Sequence, residues 1–344
     1  MHGRGRQASQ LRVPTAAVAV AVGVSLLAGG ASAGHKTARP LKVGLVLQAA
    51  GIDDPYLRGA VVGFRSAVRK LGIKGLVLTS GAREGFLPSF SYFARQDYDL
   101  IIGVGYLEAG AVDRAALRFP RSRFAIVDVR HDELEHRPKN VRAVFFKVEE
   151  ASYLAGYLAA LIEARRPGKD VVSSVGGLKV PTVDRFIAGY NAGARRARPR
   201  MLALHGYSRD FQAAAKCRAV AENHIARGAG VVFAVAGACG LGALRAAHAA
   251  HVYGVGVDVD QSALGAHVLT SVVKRLDVAV FETIVALKRG TFSTGGTTVF
   301  DLRDRGVGLG KVSPRVQHAL VRKVERIRRL IVTGKIRNIP VTVR

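Results

Sequence analysis

From Leu41 onward the chain alternates short apolar runs with longer stretches whose apolar positions recur at helical spacing. Apolar runs suit strands covered on both faces and one-sided stretches suit the helices that cover them, so the alternation predicts βαβ units around mostly parallel sheets. Strands are predicted at 41–47, 75–79, 99–104, 123–128 and 142–146, with helices near 57–71, 86–95 and 108–118. The rhythm restarts with a helix near 149–164, strands at 170–175, 200–205, 230–235 and 252–257, and helices near 182–196, 211–227 and 241–250. After Asp258 it changes to a strand at 267–273, a helix at 274–289, β-like pieces at 297–302 and 306–310, and a basic helix at about 314–333. Two doubly wound α/β sheets with such a tail describe a chain that crosses between two lobes several times. Lobes of this kind enclose a cleft, and ligands of open parallel sheets sit beyond the C-terminal strand ends.

The N-terminus lies outside this rhythm. Arg4, Arg6 and Arg12 precede an Ala/Val/Leu run from Thr15 to Ala28, and Ala31-Ser32-Ala33 is a small-x-small site. This is the pattern of a secretory signal peptide over 1–33. Leu27-Ala28-Gly29 is followed by Gly30, where a lipoprotein signal would carry cysteine, so an exported chain starting near Gly34 without a lipid anchor is expected.

The formal charge is +27, or +24 once the three leader arginines are removed. Such a charge attracts anionic partners at long range without naming one. The basic residues are scattered over every predicted helix and loop, and there is no tryptophan and no basic run interleaved with aromatics, so nucleic acid is not expected as a partner. A solvated basic surface in contact with an anionic cell wall is the plainer reading. No nucleophile elbow, phosphate loop or metal-ligand spacing is found, which argues against an enzyme and against a bound metal or cofactor. The Asp258-Val259-Asp260-Gln261 stretch lacks the continuation a calcium loop needs.

The two cysteines are Cys217 and Cys239. Cys217 falls near the start of the helix at 211–227, and Cys239 falls just after the strand at 230–235. In a βαβ unit a helix start lies beside the C-terminal end of the next strand, so both reach one sheet edge. In an exported protein a disulfide is the favoured reading, ahead of two buried thiols.

The stretches "FFKVEEASYLAGYLAAL" (145–161), "GGLKVPTVDRFIAGYNAGA" (176–194), "VVFAVAGACGLGALRAA" (231–247), "GVGVDVDQ" (254–261) and "LTSVVKRLDVAVF" (269–281) resemble, in order, the signatures of the basic membrane protein family. These are substrate-binding proteins of ABC importers, typified by purine nucleoside receptors. "GYSRDFQAAAKCRAVAENHIARGAGVVF" (206–233) looks like the cysteine-bearing branch, and Cys239 stands where many relatives carry threonine. The resemblance implies a type I periplasmic-binding-protein fold, a monomer closing on a nucleoside-like ligand, and permease and ATPase partners. A sensor of the same fold coupled to a signalling partner is the alternative. The implied division places 41–147 plus 262–298 in an N-terminal lobe and 148–261 plus 299–344 in a C-terminal lobe.

The resemblance also implies a ligand set. Glu150 and Asp258 are expected to accept hydrogen bonds from ribose hydroxyls, Lys274 to reach the sugar, and Phe186 to stack on the base. Tyr106 is a further aromatic candidate, and Gly237 and Gly240 belong to the glycine loop at the cleft. The match weakens after the first strand, where the family pattern Asp-x-Ser-Phe-Asn becomes Asp54-Pro55-Tyr56-Leu57-Arg58. Asp54 is kept, but an arginine only donates hydrogen bonds, so Arg58 in place of the asparagine is expected to turn the site toward an acceptor-rich or anionic ligand.

Overall fold

The computed structural model describes residues 39–343 apart from 50, 52–53, 81–84 and 169. The signal peptide expected over 1–33 lies outside the described residues. Each predicted element is present, its ends within four residues of expectation.

The first sheet holds β1 (Lys42–Gln48), β2 (Lys74–Ser80), β3 (Leu100–Val104), β4 (Phe124–Val127), β5 (Val141–Phe146) and β11 (Gly296–Phe300), in the order β11-β5-β4-β3-β1-β2. The second holds β6 (Val171–Gly176), β7 (Leu202–Tyr207), β8 (Val231–Val235), β9 (Tyr253–Asp258), β10 (Val268–Lys274) and β12 (Val307–Leu309), in the order β12-β10-β9-β8-β6-β7. All pairings are parallel except that of β12 with β10. Strands β3, β4, β6 and β8 are buried along their whole length; β3, β4 and β8 read accordingly as apolar runs, while β6 also buries Ser173 and Ser174.

Helices α1 (Pro55–Leu71), α2 (Phe86–Arg95), α3 (Ala109–Arg118) and α8 (Leu276–Lys288) cover the first sheet. Helices α4 (Val148–Glu163), α5 (Pro181–Ala197), α6 (Ala214–Ala226), α7 (Gly240–Ala249) and α9 (His318–Val332) belong to the second lobe. Helix α1 shows how the sequence sets these elements. The Asp54 carboxylate accepts from the Tyr56 N–H at 2.8 Å, Pro55 opens the first turn, and Gly72 ends the helix at φ 63°. Its inward face is Leu57, Ala60, Val61, Phe64 and Ala67, spaced three and four apart.

Helices α4 and α5 cross almost backbone to backbone. A Cβ on Gly156 would lie 1.9 Å from the Tyr190 carbonyl oxygen, and one on Gly193 would lie 1.9 Å from that of Tyr153. The glycines of "ASYLAGY" and "AGYNAGA" are therefore fixed by close packing rather than by a ligand.

The chain passes between the lobes three times: after β5, after β10 and after β11. One expected assignment is corrected here. Residues 262–298 do not all return to the N-terminal lobe, because β10 pairs with β9 from Val268 to Val273 and completes the second sheet. The return begins only at Arg275, which leads into α8 against α1. Adjacent strand ends hold β10 in the second sheet, and its last residue is thereby carried to the cleft.

Cys217 of α6 and Cys239, in the 3-10 turn that follows β8, are joined by a disulfide with a Cα–Cα separation of 5.6 Å. The reading as two buried thiols is excluded.

Candidate functional site

The C-terminal ends of the two sheets face each other across a narrow cavity of about 80 Å³. The first lobe contributes Gln48 from the end of β1, Asp54 and Tyr56 from the start of α1, Tyr106 beyond β3, and Asp128 beyond β4. The second contributes Phe186 from α5, Phe211 beyond β7, Gly237 beyond β8, Asp258 at the end of β9 and Lys274 at the end of β10.

Lys274 is the centre of this arrangement. Its ammonium lies 2.6 Å from Asp128 Oδ2 in the opposite lobe and 3.1 Å from Asp258 Oδ1 in its own. It also stands over the rings of Tyr56 and Phe186, at 4.5 Å and 5.1 Å from their centroids. The Tyr56 hydroxyl donates to Asp128 Oδ2 at 3.3 Å. Both aspartates adopt left-handed backbone, φ 70° at Asp128 and φ 67° at Asp258. That conformation costs a non-glycine residue about 1–3 kcal/mol and is concentrated at functional sites. The two strand ends thus present matching strained carboxylates to one lysine.

Burial governs the protonation of these groups. It pushes the Asp258 carboxyl up to about 6, against the opposing pull of Lys274 and with a further push from Asp128 and Asp54. Burial also raises Asp54, although the Tyr56 and Leu57 N–H groups and Gln212 stabilise its charged form. For Lys274 burial works against the charge, but Asp128 and Asp258 outweigh it and the ammonium is held more firmly than usual. Burial and the nearby acids Asp128, Asp258 and Glu108 raise the Tyr56 phenol well above its ordinary value, so it stays protonated and donates.

Of the residues expected from sequence, Asp54, Tyr106, Phe186, Gly237, Asp258 and Lys274 line the cavity together. The close approach at Gly237 is tight, since a Cβ there would lie 3.3 Å from Asp54 Oδ2 across the cleft, on a backbone at φ 53°. Three expected residues lie elsewhere. Glu150 accepts from the Leu302 N–H at 3.1 Å and faces Lys147 at 3.5 Å, so its carboxylate ties the first crossing to the third. Gly240 opens α7 and packs on Ala234.

Arg58 is the third, exposed on α1 and away from the cavity lining. Two residues on from Tyr56 is a turn of about 200° round the helix, so with Tyr56 facing inward Arg58 faces out. An anionic ligand is therefore not favoured on its account. Among the described residues, the charged groups of the cavity lining are three carboxylates and one ammonium.

Sequence reasoning missed Asp128, Tyr56, Gln48 and Phe211. Asp128 had a signal, because it closes the apolar run at 123–128 as Asp258 closes its own strand. Tyr56 takes the place of the family serine and fills space that a hydroxymethyl group would leave open.

Residues 41–341 match the family model described as "ABC transporter substrate-binding protein PnrA-like". The chain belongs to this family. It is a substrate-binding family and not an enzyme family. A relative from Listeria monocytogenes, "CD4+ T-cell-stimulating antigen", is 30% identical over 92% of this chain and 95% of its own length. The "ABC transporter nucleoside-binding protein BmpA" of Lactococcus lactis is 31% identical over 87% of this chain and 89% of its own. Among solved structures, an ABC transporter solute-binding protein from Aeropyrum pernix superposes with a TM-score of 0.78 at 22% identity, covering 88% of this chain and 94% of that one. The fold is thus that of the ABC solute-binding proteins, the type I arrangement expected from the sequence. Among the described residues no helix is long and apolar enough to cross a membrane.

Proposed function

We propose that this protein captures a nucleoside or a closely related uncharged polar molecule outside the cytoplasm and delivers it to an ABC permease and its ATPase. The observation that supports the reading best is the composition of the interlobe cavity. Phe186 offers a face for a base, and Asp258, Asp128 and Lys274 are poised to accept from and donate to vicinal hydroxyls. Among the described lining residues, three carboxylates against one ammonium disfavour a phosphorylated ligand, because each added phosphate charge meets net negative potential at low dielectric. The name borne by the Lactococcus relative points the same way.

The mechanism is a shift between open and closed lobes. The cavity is walled by both lobes and the Lys274–Asp128 contact spans them, so parting the lobes to admit a ligand breaks that contact. Ligand contacts from both strand-end sets then replace that contact and favour closure, and the closed state is what the permease reads. Retention on an anionic cell wall through the basic surface completes the picture, and high salt should release the protein.

Isothermal titration of the protein against nucleosides, nucleotides, free bases and sugars tests the reading. Binding of a nucleoside, weakened at least tenfold by Asp258→Ala and absent for the matching nucleotide, is the expected result. Tighter binding of the nucleotide, or silence across the panel, would overturn it.

A further inference from the structure

At the end of the second sheet opposite the cleft, three of the chain's ten histidines come together. His248 lies in the last turn of α7, His251 in the connection to β9, and His267 immediately before β10. In sequence His267 is remote from the other two. The parallel pairing of β9 with β10 brings their starts side by side, and the Gly254 N–H donates to the His267 carbonyl at 2.9 Å. The imidazoles of His248 and His267 stack with centroids 4.4 Å apart and planes 29° from parallel. With His251, Tyr253 and Arg315 they line a surface cavity of about 330 Å³.

We infer that this cluster is a peripheral binding site for a borderline divalent cation such as Zn²⁺ or Ni²⁺, with His248 and His267 as ligands and His251 as the third. Imidazole suits these ions, and two or three such ligands with water complete a site. The position favours a cation as well, because the site lies at the C-terminal end of α7, where helix carbonyls carry partial negative charge. Arg315 at the rim opposes it, which makes the site moderate in strength. Loading requires the stacked rings to turn about their side-chain bonds so that ring nitrogens converge. His248 is exposed and His267 half-buried. His251 lines the same cavity from a backbone at φ 55°.

Among the described residues, Asp113, Glu135 and His136 are the group whose ligand atoms already lie within 4.8 Å of one another, which those of the three histidines do not, and that cluster differs in kind. There the buried Asp113 carboxylate is already satisfied, accepting from the His136 N–H at 3.2 Å and contacting His136 Nδ1 at 2.6 Å. It serves as the control.

Titration of the tag-free protein with Zn²⁺ alone should show one site per chain. Affinity should fall at least tenfold in His248→Ala and in His267→Ala, fall less in His251→Ala, and hold in His136→Ala. In the unmutated protein, Cu²⁺ should broaden the imidazole NMR signals of His248, His251 and His267 ahead of those of other histidines, a readout that needs no variant to fold. A Zn²⁺ site that survives the His248→Ala/His267→Ala double variant, or Cu²⁺ broadening that starts at another histidine, would overturn the proposal.

Discussion

Replacing Lys274 with methionine removes the one ammonium among the described residues of the cavity lining while keeping a side chain of similar length. Lys274 is nearly inaccessible and bridges Asp128 at 2.6 Å and Asp258 at 3.1 Å, so the change leaves two buried carboxylates without their counter-charge. Removing one partner of a buried pair costs about 3–5 kcal/mol. The pH dependence identifies the source. Asp258 sits at about 6 against an ordinary 3.8 even with Lys274 present, a displacement worth roughly 3 kcal/mol. A carboxyl raised in the folded state binds its proton more readily there than when unfolded, so its contribution to stability is lost as pH rises from about 4 to 6. Without Lys274 that window extends upward. Urea unfolding of the ligand-free protein and of Lys274→Met should therefore show the full loss at pH 8 and roughly half of it at pH 5, where Asp258 is protonated. Adding Asp258→Asn to Lys274→Met should recover more than about 1 kcal/mol at pH 8, since the two residues are coupled. An equal loss at both pH values, or no recovery in the double variant, would refute the reasoning.

Arg58→Ala should leave ligand affinity within about twofold, because the side chain is exposed and off the cavity; calorimetry showing a tenfold loss would restore it to the site. Replacing both Cys217 and Cys239 with alanine should cost about 3 kcal/mol in denaturant unfolding, the chain-entropy value for a loop of this size. Gly193→Ala should destabilise the protein by about 2 kcal/mol or more through overpacking at the α4–α5 crossing, whereas Gly290→Ala, with open space around it, should show only the smaller cost of its positive φ.

Most elements were legible because their signals are local. Buried parallel strands must be apolar throughout, and covering helices must carry one apolar face, so the βαβ rhythm is written residue by residue. The strand-end rule located Asp258, the family resemblance pointed to Lys274, which spacing alone reads as a solvated residue at a helix start, and the cysteine pairing followed from the geometry of one βαβ unit. Those features need only neighbours within a few tens of residues.

Which lobe owns β10 depended instead on strand pairing, a long-range contact with no local signature, and the sequence-based division placed it on the wrong side. Arg58 was misplaced because a resemblance aligns positions but not the direction a helical side chain faces. Glu150 was drawn into the site by its motif, although it holds two crossings together through Leu302 and Lys147. Asp128 meets Lys274 only because two lobes dock, across 146 residues of chain. The sequence by itself determined the two α/β lobes and the kinds of side chain available to a cleft. The tertiary structure alone decided which of them share a cavity, because burial and opposed strand ends, not spacing along the chain, set which charges meet.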